Sequence, residues 1–408
     1  MNQRGLKIAL MLLAAVLLSG GCRMRQAAPR PAAQPAARVI AEPQGRLFGL
    51  LSSFDPADTK GVITILDEPA RCFALSERLV KGDDFDNVDA AQVQDLLPDF
   101  AGETISAIID LKYTPYSRFT EAQNIDALRE VASNSFLAAV DTVCCLGPYD
   151  HDARSWKPSS KLVVVSSPYF CAYGAFDIDT LLQVTGSKLP VIMAQELMIE
   201  QVLDAHDGPV RMAFAAAPEA ASSGVYARIF KEVAGRRGDK ASMMATLLPN
   251  PKKSFTDSLS APTVPDPFKT YLDAYDASEV RGQLDVLIVD DFSVDVQALR
   301  ESYREILSSP SEENAWYRKM LSRNFEIVDG AALISRACYT TLRIRNTFTH
   351  NISYPAASAW ITSPETTGYS IMDYDVSELP EDVSDLLERL SPKTARLYVQ
   401  DQYNPRGN

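Results

Sequence analysis

The stretch LDVLIVDDFSVDVQALRESYREIL (residues 284–307) shows the unit from which this chain is built. Its apolar opening runs into Asp290 and Asp291, and apolar residues at helical spacing follow. A nearly continuous apolar run is typical of a strand that is covered on both faces, as in a parallel sheet. The stretch therefore predicts a strand, two carboxylates at the carboxyl end of that strand, and a crossover helix.

The same strand-helix unit recurs along the chain. Predicted strands lie in GVITILDEP, TISAIIDLKY, KLVVVSSPYF, LPVIMAQ, RMAFAAAP, SMMATLLP and FEIVDG. Helical patterns separate most of them, and one short helix is predicted over residues 87–97, before Pro98. This alternation indicates parallel sheets joined by right-handed crossovers. We expect an α/β fold of two Rossmann-like lobes with mostly parallel sheets, an interlobe cleft and a C-terminal β-rich extension.

Changes in composition give the expected domain boundaries. The segments are a signal peptide (1–21), an Ala/Pro-rich tether (22–45), an N-terminal lobe (46–208), a C-terminal lobe (209–345), and an extension or crossover segment (346–408).

The N-terminal sequence predicts that the protein is located outside the cytoplasm. Arg4 and Lys7 precede a short apolar run, and LLSGGC then leads into Cys22. This resembles the lipobox of bacterial lipoproteins, although Ser19 stands where a leucine is usual. An ordinary secretory signal is the alternative. The resemblance implies lipid attachment at Cys22, a membrane anchor in the bilayer, and a place in the cell envelope, on the periplasmic or outer-membrane side.

Charge and composition exclude several classes of function. The 408 residues carry a net charge of −13, which disfavours binding to nucleic acid. The chain has only three histidines and no CxxC pair, so the sequence does not indicate a metal site. We also expect no cofactor. Apart from Cys22, the cysteines are either partly paired in disulfides or buried as free thiols: Cys72, Cys144, Cys145, Cys171 and Cys338.

The run LIVDD also resembles the first strand of a response-regulator receiver domain, which ends in paired acidic residues. Asp329 follows at a later strand end. No strand ending in lysine comes after it, and the predicted signal peptide places the chain away from cytoplasmic kinases. The receiver interpretation is therefore rejected.

The order of units in the second half resembles type I periplasmic-binding proteins, the substrate-binding proteins of ABC transporters. The resemblance lies in RMAFAAA, SSGVYARIF, SMMATLLP, LDVLIVDD and FEIVDGAALISRACYTTL, and it extends over residues 46–345. It implies a small polar ligand clamped between two lobes that close on a hinge, and an ABC permease as a partner.

Ligands of open α/β sheets bind beyond the carboxyl ends of the strands. The polar and aromatic residues predicted there are the candidate ligand-binding residues: Ser167, Tyr169, Tyr173, Glu196, Ser222, Ser223, Asp290, Asp291 and Asp329. Each also has a plain structural interpretation. The serines, aspartates and glutamate suit helix N-termini, and the tyrosines suit packing at a rim.

Two alternative functions remain open. The runs PYFCAYGAFDIDTLLQ and RMAFAAAPEAASSGVYARIFKEV also resemble aspartate/glutamate-racemase-type enzymes, which use one cysteine from each half. Cys171 would be the first cysteine, but aspartates stand where the second is expected, and Cys338 falls in a predicted helix. The other alternative is a structural or interaction lipoprotein that binds no ligand.

Overall fold

The computed structural model describes residues 31–110, 113–147, 150–237, 245–248, 266–277, 282–351, 353–363 and 399–400. The predicted signal peptide and the lipid-attachment residue Cys22 lie outside these ranges. No helix in the described part is long and apolar enough to cross a bilayer.

The first half of the chain forms most of one sheet and its covering helices. Its elements are α1 (Gln34–Ala41), α2 (Arg46–Ser52), β1 (Val62–Asp67), α3 (Pro69–Lys81), β2 (Thr104–Ile109), α4 (Ser117–Glu121), α5 (Ile125–Val140), β3 (Val143–Gly147), β4 (Asp150–Trp156), β5 (Ser160–Val165), α6 (Pro168–Tyr173), α7 (Ala175–Thr185), β6 (Val191–Met193) and α8 (Ala194–Ala205).

The second half forms another sheet and then returns to the first. Its elements are β7 (Met212–Ala215), α9 (Pro218–Ser222), α10 (Val225–Arg237), β8 (Ala245–Leu248), α11 (Pro267–Ala277), β9 (Leu284–Val289), α12 (Val296–Ser308), α13 (Glu312–Met320), β10 (Leu321–Asp329), α14 (Gly330–Arg345), β11 (Ala356–Ser363) and β12 (Val399–Gln400).

Two parallel sheets define the architecture. The first has the strand order β12-β11-β2-β1-β5-β6, and the second has the order β10-β9-β7-β8. Every neighbouring pair in both sheets is parallel. Strands β3 and β4 form a separate antiparallel hairpin. The predicted α/β class with mostly parallel sheets is confirmed.

Two helices carry the chain between the sheets. Helix α8 leads from β6 to β7, and α14 leads from β10 back to β11, which pairs with β2 of the first sheet. Gly330 at the start of α14 permits this return, because a Cβ there would lie 2.5 Å from the Val289 carbonyl oxygen and 2.6 Å from Cε of Met198. The strand 356–363, in the predicted C-terminal extension, is therefore part of the first sheet.

The N-terminal end of the described chain is bound to the first lobe. Helix α1 lies within the segment predicted to be a tether, and it packs against α5 and α7. The buried carboxylate of Asp177 accepts the Ala33 amide at 2.8 Å and pairs with Arg129 at 2.8 Å. Arg129 also donates to the Pro31 carbonyl oxygen. A buried ion pair thus fixes the point where the chain enters the fold.

The main hydrophobic core extends through both lobes. It joins Ile65 of β1 to Phe214 of β7 and Ile288 of β9 in one set of buried side chains. A smaller core lies on the other face of the second sheet, around Phe268 and Leu287. Since burial of apolar area is the main stabilising contribution to folding, the shared core couples the two sheets energetically.

Candidate functional site

The carboxyl ends of strands from both sheets meet in the middle of the molecule. Asp67 ends β1, Ser166 follows β5, and Gln195 lies just after β6. Asp290 follows β9 of the second sheet. All four side chains are buried, so the candidate site lies at the junction of the lobes.

Arg71, in the first turns of α3, binds groups from both lobes. Its Nε donates to Asp67 at 2.8 Å, one helical turn earlier. Its Nη2 lies 3.0 Å from both the Asp290 carboxylate and the Ser166 carbonyl oxygen, and its Nη1 donates to the Asp290 carbonyl oxygen. The ring of Phe292 lies 4.3 Å from the guanidinium carbon. One arginine therefore joins the two sheets.

The Asp290 carboxylate is the centre of the same network. It accepts hydrogen bonds from Gln195 Nε2 at 3.0 and 3.1 Å and from the Tyr226 hydroxyl. Burial raises the pKa of Asp290, and Arg71 and Tyr226 act in the opposite direction. Burial lowers the pKa of Arg71, but Asp290 and Asp67 outweigh that effect and hold it well above its usual value. We call these residues the junction network: Asp67, Arg71, Gln195, Tyr226 and Asp290.

Glu68 lies beside this network but at its edge, where its side chain is partly exposed. Its Oε1 accepts the Tyr116 amide at 2.7 Å. Burial raises the pKa of Glu68 to about 7, the Tyr116 amide and Arg71 lower it, and the charges of Asp67 and Glu219 raise it. Glu219 belongs to α9 of the second lobe, so the charge of a carboxylate from that lobe also acts on Glu68.

Tyr169 in α6 contributes a hydroxyl to the same edge. The residue is only 2% exposed, and its hydroxyl lies beside that of Ser223 in the second lobe. Burial raises the pKa of Tyr169 above its usual range, and Glu68 and Glu219 raise it further. We call Glu68, Tyr169, Glu219 and Ser223 the junction patch.

The junction network and the junction patch are suited to different chemistry. The charges in the junction network are bound to one another and are buried, which suits a structural role. In the junction patch, Glu68 exchanges its proton near neutral pH and stands next to a buried phenol. A carboxyl group whose pKa is close to the working pH is suited to general acid or base catalysis.

Three of the predicted ligand-binding residues reach the junction. Asp290 is in the network, and Tyr169 and Ser223 are in the patch. Ser222 is exposed, one residue from Ser223, and its hydroxyl donates to the Glu219 carbonyl oxygen. Tyr173 lies under the guanidinium of Arg228, 4.8 Å from the ring centre.

The other predicted residues make local structural contacts. Ser167 and Asp329 accept backbone amides as the N-caps of α6 and α14. Asp291 accepts the amide and hydroxyl of Ser293. Glu196 pairs with Arg236 at 2.7 Å. Their role in ligand binding stays a prediction.

Cys171 is buried on the first lobe. Its Sγ lies 3.3 Å from the Val165 carbonyl oxygen, and burial raises its pKa well above the usual value for a thiol. The cysteines whose side chains are described are free and buried: Cys72, Cys144, Cys171 and Cys338. Cys22 and the side chain of Cys145 lie outside the described part.

Sequence reasoning missed Asp67, Glu68, Arg71 and Tyr226. A signal for the first three was present, since DEPAR follows the strand VITIL directly and places charged groups at its carboxyl end. Tyr226 gave no such signal, because an aromatic residue on an amphipathic helix usually belongs to the core.

Comparison with known proteins gave matches only among solved structures. No family model matches the chain, and no curated protein does. Glutamate racemase RacE1 from Bacillus anthracis aligns at 13% identity over 83% of this chain and 97% of that chain, with a TM-score of 0.47. Glutamate racemase from Francisella tularensis, in complex with D-glutamate, aligns at 12% identity over 83% and 96%, with a TM-score of 0.44. Picrophilus torridus aspartate racemase aligns at 10% identity over 68% and 94%, with a TM-score of 0.34.

These findings correct the sequence interpretation. The similar structures are glutamate and aspartate racemases, so the resemblance to periplasmic-binding proteins, and with it the description as a solute-binding protein, is wrong. The error has a physical source: alternating strands and helices predict parallel sheets, but the alternation does not specify how two such sheets are arranged. The racemase-type alternative agrees better with the comparisons than the binding-protein interpretation does.

Proposed function

We propose that this chain is an acid–base enzyme of the racemase-like class, which moves a proton to and from a small substrate at the junction patch. The observation that carries the proposal is the Glu68 carboxyl group, which has a pKa of about 7 and a fixed position between the lobes. Such a group is available both as a base and as an acid at neutral pH.

The surroundings of Glu68 suit this role. The Tyr116 amide fixes one carboxyl oxygen, so the reactive group is held in place before substrate binds. In the proposed reaction the Glu68 carboxylate accepts a proton from the substrate, and the Tyr169 hydroxyl donates a hydrogen bond to the negative charge that develops. Return of the proton from Glu68 completes an isomerisation without a net change in composition.

A cysteine mechanism through Cys171 has less support. A thiol must lose its proton to act as a base, and burial raises the pKa of Cys171 well above its usual value. Its Sγ also donates to the Val165 carbonyl oxygen at 3.3 Å, and the charges of Glu196 and Asp290 raise the pKa of the thiol further. We therefore assign the acid–base role to Glu68, not to Cys171.

Exchange of substrate hydrogen with deuterium in D₂O tests the proposal. The full chain is incubated with L-amino acids, their amides and their methyl esters, and deuterium incorporation is measured by mass spectrometry. We expect incorporation with the wild type and with Cys171→Ser, and its loss with Glu68→Gln. Equal incorporation with Glu68→Gln, or no incorporation into any compound, would overturn the proposal.

A second candidate is a structural or interaction protein without a ligand. The junction network favours it, because Arg71 and Asp290 join the lobes and satisfy one another. In that case Glu68→Gln changes stability alone, and neither catalysis nor ligand binding is found at the patch.

A further inference from the structure

The loop between α3 and β2 presents large apolar side chains to solvent. Leu96 is 92% exposed and Val88 is 86% exposed, and Val93 and Leu97 are exposed as well. Single apolar side chains are common on protein surfaces, but several on one short loop mark a surface that contacts another molecule.

Hydrogen bonds bring the two ends of this loop together. The Asn87 amide donates to the Asp95 carboxylate at 3.0 Å, and Asn87 Nδ2 donates to the Pro98 carbonyl oxygen at 3.1 Å. The two acceptors flank a pair of leucines in the sequence, so the residue that follows Asn87 lies beside these leucines. We call these exposed residues the loop patch: Val88, Leu96 and Leu97.

The loop is also fixed to α14. The ring of Phe85 stacks on the ring of Tyr339, with 4.5 Å between the ring centres. The Tyr339 hydroxyl donates to the Asp86 carbonyl oxygen at 3.3 Å. Arg343 Nη2 donates to the Val88 carbonyl oxygen at 3.1 Å. A surface that is ordered in advance loses less conformational entropy when a partner binds.

Leu96 has a backbone conformation that opposes stability. Its φ is +70°, in the left-handed region that is unfavourable for residues with a Cβ atom. The Asp83 carboxylate holds this conformation, because it accepts the Leu96 amide at 3.0 Å. Glycine would fit the position better, and an exposed leucine adds nothing to the core. Strain that persists at an exposed apolar residue points to a function for that side chain.

Negative charge surrounds the loop patch. Residues 82–98 include five aspartates and no lysine or arginine. Arg78 pairs with Asp84, and the charge of Arg343 acts on Asp86. Hydrogen bonds from two backbone amides lower the pKa of Asp86, so its carboxylate stays ionised at neutral pH. Two arginines against five aspartates leave this surface negative.

We propose that the loop patch binds a basic amphipathic segment of a partner protein. The apolar side chains of the segment cover the loop patch, and its lysines or arginines face the surrounding aspartates. Charge complementarity decides the class of partner, because an anionic membrane or a second copy of the same acidic loop would be repelled. The surface shares no residue with the junction patch, so the inference does not depend on the proposed function.

Three peptides of equal length test the inference. One contains leucine and lysine in an amphipathic pattern, the second has glutamate in place of lysine, and the third has serine in place of leucine. Binding to the full chain is measured by calorimetry at constant ionic strength. We expect the leucine-lysine peptide to bind, the leucine-glutamate peptide to show no measurable binding, and the serine-lysine peptide to bind about tenfold more weakly.

Variants localise the binding. Leu96→Gly should weaken binding of the leucine-lysine peptide about tenfold and raise the urea midpoint, because it relieves the left-handed strain. Gln123→Gly is the matched control, since Gln123 is exposed with a φ of +54°. It should raise the midpoint and leave peptide binding unchanged. Asp89→Asn keeps the oxygen that accepts the Ala91 amide but removes a charge, and should weaken binding about threefold.

Several results would overturn the inference. They are failure of the leucine-lysine peptide to bind, equal binding of the serine-lysine peptide, unchanged peptide binding by Leu96→Gly, and a lowered urea midpoint in that variant. Flotation with vesicles of phosphatidylcholine and phosphatidylglycerol, and sedimentation of the chain alone, test the other occupants. Flotation that depends on Leu96 would assign the loop patch to a membrane, and self-association that depends on Leu96 would assign it to a second copy of the chain.

Discussion

At the scale of single residues, Asp67 and Glu68 show how position decides the behaviour of a carboxyl group. Asp67 is fully buried and pairs with Arg71, so its charge is part of the junction network. Glu68, the next residue, is partly exposed, and the charges of Asp67 and Glu219 raise its pKa while the charge of Arg71 lowers it. Burial raises the pKa of both carboxyl groups; Arg71 and Ser166 act against it at Asp67, and the Tyr116 amide acts against it at Glu68, whose pKa is about 7.

The pKa of Glu68 predicts a pH dependence of stability. Because this pKa is raised from 4.5 to about 7, the folded state binds the proton more tightly than the unfolded state does. Protonated Glu68 therefore contributes stability below about pH 4.5, and this contribution is lost as pH rises to about 7. The wild type should lose stability relative to Glu68→Gln across that window, with no further change above it.

Urea unfolding of both proteins at a series of pH values measures this difference. Glu301→Gln serves as the control, and its midpoints should run parallel to those of the wild type. A constant difference between wild type and Glu68→Gln at all pH values would contradict the assigned pKa.

Replacement of Arg71 should be much more damaging than replacement of an exposed arginine. Arg71→Met leaves the buried carboxylates of Asp67 and Asp290 without their cation, which typically costs about 3–5 kcal/mol. Arg78→Met removes a partly exposed pair with Asp84 and should cost less than about 1 kcal/mol. Chemical denaturation measures both values, and a similar small loss for the two variants would show that Arg71 does not hold the junction.

At the scale of elements, aspartates at strand ends act mainly as helix caps. Asp329 accepts the Ala332 amide at the start of α14, and Asp295 accepts the Gln297 and Ala298 amides at the start of α12.

The helix predicted over residues 87–97 does not form. Asp83, Asp86 and Asp95 bind backbone amides there, so turns replace the expected helix.

The capping role of Asp329 gives a prediction that separates it from ligand binding. Asp329→Ala should cost about 1 kcal/mol of stability, whereas Asp329→Asn should be close to neutral, because asparagine is an equally good N-cap. Deuterium exchange into the substrate should be unchanged in both. If Asp329→Asn were as harmful as Asp329→Ala, the carboxylate would have a role beyond capping.

At the scale of the whole molecule, the two sheets share a core as well as a charge network. Ile65, Phe214 and Ile288 belong to one set of packed side chains, and α8 and α14 join the sheets covalently. Joint packing of this kind favours cooperative unfolding, in contrast to two lobes that move independently on a hinge.

Cooperativity can be followed with the three tryptophans. Trp360 reports on the first sheet, Trp156 on the β3-β4 hairpin, and Trp316 on α13 of the second lobe. After 5-fluorotryptophan labelling, the native ¹⁹F resonances of Trp360 and Trp316 should disappear at the same urea concentration. In Arg71→Met we expect these two transitions to separate. Separate transitions already in the wild type would contradict a single cooperative unit.

The sequence by itself determined most strands of the two parallel sheets, most of the helices and the parallel α/β class, because apolar runs and helical periodicity are local properties. It also placed Asp290, Tyr169 and Ser223 at strand or helix ends. It did not predict the β3-β4 hairpin. Only the tertiary structure decided what those ends meet. Arg71 and Asp290 are 219 residues apart, and they meet only because two separate sheets turn their carboxyl edges toward each other. Local patterns carry no information on that orientation, so LDVLIVDD identified a strand and its acidic end but not the arginine that binds it.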